Sequence, residues 1–195
     1  MSEKITGYTA TSPEAMTTGA AVMYKNFDIA ADTAATAAAK IISATSGGVE
    51  ISIEKETWYR EIDGVPENTK GMFEIESIKP SIKATLAEVS SVDALMIALG
   101  AATNSAPALP TGYTKVEPKH SVADSDYLDN ITLLTQTKTG SPLIIVIDNP
   151  LNTDGLTFKT ESKAGGGLDV EFVGHYDAED LNTAPIRFYV PTPAV

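Results

Sequence analysis

The stretch Gly47-Gly48-Val49-Glu50-Ile51-Ser52-Ile53-Glu54 decides the fold class. Val49, Ile51 and Ile53 alternate with Glu50, Ser52 and Glu54. A period of two sends one set toward a core and the other toward water, the mark of a half-buried strand. Thr57 to Ile62, with Trp58 and Tyr59, continues as strand. Asp63-Gly64 opens a loop holding Pro66, Asn68 and Gly71, and a new strand starts at Met72. The spacing therefore predicts a hairpin with a long tip. From Met72 to Leu86 the apolar residues change phase: Phe73 and Ile75 are odd, whereas Ile78, Ile82, Ala84 and Leu86 are even. A one-residue slip exchanges the two faces, so a bulge or bend is predicted near Ser77 to Pro80. Pro80 cannot donate to a ladder, which argues against the middle of a central strand.

Working outward, residues 1–19 are rich in Ser, Thr and Gly and read as an extended N-terminal arm that makes contacts. Ala20 to Ile29, with Val22, Tyr24 and Phe27, offers a first strand. Ala30 to Ala39 favours helix by composition but has no apolar period, so it reads as a loop or a single helical turn. Ser91 to Gly100 is the one helix expected, because Val92, Leu95, Met96 and Leu99 follow the i, i+3, i+4, i+7 rule. Ser90 or Ser91 caps its start and Gly100 ends it. Ala101 to Gly112 reads as a long loop. Further strands are expected at Tyr127 to Thr137, Leu143 to Asp148, Gly155 to Glu161, Gly167 to Tyr176 and Ile186 to Val190. Turn signals separate them at Thr139-Gly140, Asn149-Pro150, Asp154-Gly155 and Gly165-Gly166-Gly167. Many short strands, one helix and no βαβ rhythm predict an all-β sandwich with one flanking α-helix, spanning residues 20–195 as one domain.

Composition narrows the function classes. The chain has 195 residues, enough for one core without covalent staples. Its formal charge is −12 and its pI about 4.5. Such a domain is a poor general binder of nucleic acid or anionic membrane, since phosphate contacts need clustered Lys and Arg. Cys is absent, which removes disulfides, thiolate zinc sites and Cys nucleophiles. Met1 to Gly7 shows no secretory pattern, and Ala94 to Ala102 is too short to span a bilayer. The expectation is synthesis in a cytoplasm and no membrane partner.

Enzyme patterns fail. There is no G-x-S-x-G, and Gly165-Gly166-Gly167 is followed by Leu168 rather than Lys-Ser/Thr, so it reads as a flexible strand connection. His175 with Asp177, Glu179 and Asp180 is the best zinc candidate, but it reads better as a solvated acidic turn. Asp124, Asp126 and Asp129 suggest calcium but lack the glycine and distal Glu of an EF-hand loop, and read as a polar loop. No catalytic residue, cofactor or metal site is assigned. Trp58, Tyr59 and Arg60 read as an aromatic-cation binding patch, as a strand with one packed and one surface aromatic, or as a contact with a neighbouring chain. Glu50 and Glu54 share a strand face, as do Glu74 and Glu76, and Asp169 and Glu171. They make either an ordinary solvated sheet face or the lining of an aqueous passage.

The order of these elements carries a resemblance. Thr45-Ser46-Gly47-Gly48-Val49-Glu50-Ile51-Ser52-Ile53-Glu54 leads into Tyr59-Arg60-Glu61-Ile62-Asp63-Gly64. A loop and a charged strand follow, then Ser81-Ile82-Lys83-Ala84-Thr85-Leu86-Ala87-Glu88-Val89 and the capped helix. This resembles the major tail (tail tube) proteins of long-tailed bacteriophages, over most of the chain and most strongly from Thr45 to Gly100. The C-terminal strands agree in kind without a motif. Ala30 to Ala39 matches no family motif, and the Ig-like domain that some relatives append is not evident.

The resemblance implies a β-sandwich of the phage tail tube type, with N-terminal arm, long hairpin loop and flanking helix, shared with the tube protein of type VI secretion. It implies a structural virion protein, not an enzyme. Six subunits close into a ring, rings stack into a hollow tube, and one sheet of each subunit joins its neighbours in a barrel lining the lumen. The arm, the hairpin loop at Asp63 to Gly71 and the C-terminal segment contact other subunits. Implied partners are copies of the chain, a tape measure protein in the lumen, and tail terminator and baseplate proteins. DNA passes during genome ejection without being held. Localisation would be the virion tail, assembled in the bacterial host cytoplasm.

On this reading Glu50, Glu54, Glu74 and Glu76, with Asp169 and Glu171, are expected to face the lumen. Lys79 and Lys83 interrupt a negative wall if they share its face. Trp58, Tyr59, Arg60, Asp63, Pro66 and Asn68 are the expected subunit-interface residues. A competing expectation is a carbohydrate- or surface-binding adhesin using Trp58, Tyr59 and Tyr113 as stacking platforms. A third is a metal-dependent hydrolase built on His175.

Overall fold

The computed structural model describes residues 7, 12, 16–105, 111–161 and 164–191. The arm expected over residues 1–19 lies mostly outside them. Its last residues already belong to β1, Thr17–Lys25. The chain continues through α1 (Ala34–Ala38), β2 (Thr45–Tyr59), β3 (Phe73–Leu86) and α2 (Val92–Leu99). It then runs through β4 (Ala102–Ser105), β5 (Lys115–Pro118), β6 (Asn130–Thr137) and β7 (Pro142–Asp148). The last strands are β8 (Leu151–Glu161), β9 (Ala164–Val173) and β10 (Ile186–Tyr189). The protein is all-β with antiparallel sheets and two short helices among the described residues.

Two four-stranded sheets, ordered β1-β6-β7-β10 and β2-β3-β9-β8, enclose one core. Strand alternation explains how. The first sheet sends Met23, Ile131, Leu133, Ile145 and Ile147 inward. The second answers with Ile82 opposite Phe172, Ala84 opposite Val170 and Leu86 opposite Leu168. Burying a large apolar side chain of this kind contributes roughly 1.5–3 kcal/mol. This is a β-sandwich, as the strand count predicted.

One open expectation is settled and several others are corrected. Ala30 to Ala39 does hold a helical turn, and Thr33 with Thr36 forms its capping box. The expected loop Ala101 to Gly112 instead contributes β4, which pairs with β5 across Ala102–Pro118 and Ser105–Lys115. Gly166 and Gly167 are not a connection but part of β9. A Cβ on Gly167 would lie 2.6 Å from Thr85 Cγ2, so close strand packing selects glycine there. Asp154-Gly155 is not a turn between strands. It sits within β8, where the register slips between Asn152 and Leu156.

The phase change in β3 is a bulge, and it falls at Glu76. Glu56 pairs with Ser77 and Thr57 with Ile75, leaving Glu76 as the extra residue. Pro80 does lie within β3, opposite Ile53. Its carbonyl accepts from Gly174 N at 2.9 Å, just past the end of β9. A strand residue directs its N and its C=O to the same side, so the missing donor faces away from β2. The β2–β3 ladder loses nothing, which is how a central strand tolerates the proline.

Helix α2 starts where expected, with Ser91 Oγ accepting from Ala94 N at 3.3 Å. Its buried residues are Ala94 and Ala98 rather than the larger Leu95, Met96 and Leu99, which are half-buried. Small residues let the helix come close to β8. Gly100 completes that approach: φ is +73°, and a Cβ would lie 2.4 Å from the Asn152 carbonyl oxygen. Buried Asn152 ties the two together by donating to the carbonyls of Ala98 and Gly155.

Candidate functional site

The second sheet carries two surfaces of interest. Its inner side is core at one end, and its outer side is predominantly polar. Register places Glu50, Lys83 and Glu171 in one row across that outer side, and Thr85, Asp169 and Thr157 in the next. Glu54 lies opposite Lys79, and Glu56 opposite Ser77. The two rows from Glu50 to Glu171 and from Thr85 to Thr157, with Ser46 to Val49, Asp154 and Gly155, border a shallow trough of about 550 Å³ over the sheet; Glu54, Glu56, Ser77 and Lys79 lie outside it.

Five of the six expected lumen residues therefore share a face, counting Glu74. The bulge brings Glu74 opposite Trp58, on the same side of β2 as Glu50 and Glu54. Glu76 is the bulged residue itself, so pairing gives it no face. It is exposed and near enough to Lys79 to raise that ammonium.

Lys79 and Lys83 do share the face, so the wall is not uniformly negative. Each lysine is ringed by carboxylates. Lys79 Nζ donates to Glu56 Oε1 at 2.6 Å, which raises the Lys79 pKa, with Glu54 and Glu76 adding to the effect. Lys83 pairs with Glu171 at 3.1 Å and is raised by that bond, then by Glu50 and Asp154. Lys159 bonds Asp169, which holds that carboxyl below its ordinary range with help from Thr85 Oγ1. Glu50, Glu54, Glu56, Asp169 and Glu171 outnumber Lys79, Lys83 and Lys159. The face is acidic in sum, and its cations are each partnered on the same face.

The second surface is the inner side of the distal β2–β3 hairpin. At the sandwich edge Ile53 of β2 meets buried Pro80 of β3, and outward from there Lys55, Thr57 and Tyr59 meet Ile78, Ile75 and Phe73. Ile53, Phe73 and Ile75 are 38%, 48% and 57% exposed, and Ile62 beyond the strand end is 48% exposed. Tyr59 and Phe73 stack at 5.2 Å. The sequence reading picked out Trp58 and Tyr59 but missed Ile53, Phe73 and Ile75. Their alternation looks identical to that of a core strand, and nothing local tells where the facing sheet ends.

The other expected interface residues lie at the tip. Trp58 and Tyr59 point to opposite sides, so they do not form one stacking platform. The Arg60 guanidinium sits 5.4 Å above the Trp58 ring and 4.0 Å from Glu74, on the polar side. Asp63, Pro66 and Asn68 are exposed in a loop closed on itself. The Pro66 carbonyl accepts from Thr69 Oγ1 at 2.6 Å and from the Tyr59 hydroxyl at 3.2 Å.

Three of the six acids weighed as metal ligands, Asp126, Asp177 and Asp180, are occupied in turns. Asp126 accepts from Ala123 N at 2.9 Å and pairs with Lys119, which lowers its pKa. Asp177 accepts from Glu179 N, and Asp180 accepts from Asn182 N and from Thr183 Oγ1. His175 Nδ1 is 3.1 Å from the Asn149 carbonyl, and the ring meets Tyr127 edge-on. Among the described residues, no three His, Asp or Glu side chains converge as a metal shell, and no helix is long and apolar enough to cross a membrane. No family model and no curated protein matches the chain.

Proposed function

We propose that this chain is a structural subunit of a phage tail tube, assembling with copies of itself into stacked rings around an aqueous lumen. The observation that carries the reading is the distal hairpin. Ile53, Phe73 and Ile75 continue the core face of the sheet beyond the sandwich, where nothing among the described residues covers them. Exposed apolar side chains gathered at one end of a sheet face, here with Lys55 and Thr57 among them, mark a contact site. A hairpin that overhangs its own domain presents that surface to a neighbouring copy. A head-to-tail contact of this sort generates rings and stacks. The sequence resemblance supplies the ring number, six.

The polar face suits the lumen. DNA must slide past it, so its carboxylates repel phosphate. Lys79, Lys83 and Lys159, already bonded to carboxylates, give phosphate little to hold. Negative-stain microscopy of the purified protein tests the reading. Rings or tubes about 100 Å across are expected, given a radius of gyration of roughly 13 Å per 100 residues for each packed domain. Monodisperse monomers at high concentration would rule it out.

A further inference from the structure

We propose that the Tyr176 hydroxyl is a latch on the root of the distal β2–β3 hairpin, and that opening it frees the hairpin to swing from Pro80. This device belongs to the single folded chain and works whether or not copies assemble.

It begins where β9 leaves β3. Their register ends at Ser81 opposite Val173. One more bond follows, from Gly174 N to the Pro80 carbonyl at 2.9 Å. The chain then crosses to the first sheet, where His175 N donates to the carbonyl of Asp148, the last residue of β7, at 3.2 Å. The crossing needs glycine: a Cβ on Gly174 would lie 2.5 Å from Ile147 Cγ2 and 2.9 Å from Pro80 Cγ. His175 is then clasped to the turn after β7. Its carbonyl accepts from Asn149 Nδ2 at 3.3 Å, and its Nδ1 lies 3.1 Å from the Asn149 carbonyl.

Tyr176 follows on this anchored segment and reaches back to the second sheet. Its hydroxyl oxygen accepts from Ile78 N at 2.8 Å, and both residues are half-buried. Pro80 has no N–H, so past the end of β9 the Ile78 N–H is the next donor on that edge of β3. A side chain held by the first sheet takes it in place of a neighbouring strand.

Beyond Ile78 this support stops. Among the described residues β3 has no neighbour there except β2, which is itself an edge strand. A two-stranded ribbon standing alone is only marginally stable. The bulge at Glu76, two residues past the latch, interrupts the ladder, so β2 does not hold this stretch of β3 stiffly. The one bond from Tyr176 therefore fixes the direction in which the ribbon leaves the sandwich. With the bond made, the ribbon is tied at Ile78. With it broken, the last tie is the Pro80 carbonyl, and the whole hairpin beyond it moves as a unit.

Amide exchange in the unmodified chain is the first test. Arg60 N donates to the Met72 carbonyl, so Phe73 and Ile75 turn their N–H groups to the same open edge as Ile78. The Ile78 amide should exchange slowly, and those of Phe73 and Ile75 fast. Equal rates at the three positions would overturn the latch. Tyr176→Phe keeps the ring and removes the acceptor. It should speed exchange at Ile78 roughly fivefold, the loss of one net hydrogen bond.

Spin labels read the swing, since the chain has no Cys of its own. Glu67→Cys at the hairpin tip and Gln136→Cys on β6 are both exposed. The distance between them should be narrowly distributed in the otherwise unmodified chain and broad after Tyr176→Phe. Ile78→Pro removes the donor instead of the acceptor and should broaden it likewise, so either variant decides if the other does not fold. A distribution already broad before the change, or one equally narrow after it, would show that the hydroxyl does not hold the hairpin.

Discussion

The two halves of the β2–β3 ribbon are built from the same pair of strands, in the same alternation, yet they meet different surroundings. At the base, Ile82, Ala84 and Leu86 are buried because β6 and β7 stand across from them with Ile131, Leu133, Ile145 and Ile147. Past Pro80, Ile53, Phe73 and Ile75 occupy equivalent positions and remain exposed. Polar residues cover the other side of both halves. Only the presence of a facing layer differs. An apolar strand face is thus a request for a partner, filled inside the molecule at one end and open at the other.

Substitutions ranked by their effect on the folded monomer test that division. Phe172→Ala, on the base half, should cost about 3–5 kcal/mol of unfolding free energy in a urea titration, because it opens a cavity in the filled layer. A loss near zero would mean that the two sheets do not seal against each other. Gly100→Ala should cost about 1–3 kcal/mol, since its Cβ meets the Asn152 carbonyl and its φ is positive. The measurement is the same titration, and an unchanged midpoint would show that α2 does not hold its close approach to β8.

Two ion pairs sharpen the contrast by pH. Lys119 holds Asp126 below its ordinary value of 3.8, and Lys79 holds Glu56 below 4.5. A depressed carboxyl pKa stabilises the fold above the unfolded pKa, and that share is lost as pH falls through the folded one. Asp126→Asn and Glu56→Gln should each lower the melting temperature at neutral pH and approach the parent curve below about pH 4. Asp126, with a side chain 7% exposed, should show the larger drop, and Glu56, at 54%, the smaller. Equal drops would indicate that the hairpin pair is as enclosed as the Lys119–Asp126 pair.

Smallest of all for the monomer is the double change Phe73→Ser with Ile75→Ser. Stability should move within about 0.5 kcal/mol, as for exposed sites. Sedimentation should nevertheless show assembly lost. A large loss of monomer stability would mean that the distal face is packed within the chain and is not an interface.

Much of the fold was legible along the chain. Val49, Ile51 and Ile53 announced β2, the odd-to-even switch between Ile75 and Ile78 announced a bulge, and Ser91 with Gly100 bracketed α2. Misreadings came where a local signal has two structural meanings. Asp154-Gly155 is turn chemistry but sits in a bulge within β8, and Gly166-Gly167 is flexible-looking but lies in β9, closely packed against Thr85. Ala102 to Ser105 reads as loop because a strand of four residues shows too little alternation to register.

For the candidate surfaces, the sequence by itself determined which residues share a side: Glu50, Ser52 and Glu54 against Val49, Ile51 and Ile53. Period-two geometry requires that and needs no partner. Tertiary structure alone decided that Lys79, Lys83 and Lys159 stand among those acids. It also decided that Ile53, Phe73 and Ile75 remain exposed at the distal end of the sheet. Those facts depend on strand order and register between segments more than 120 residues apart, such as Ile51 and Phe172, which both pair with Ile82. Alternation within one strand fixes its faces but not its neighbours, because pairing is settled by long-range contacts that local chemistry does not encode.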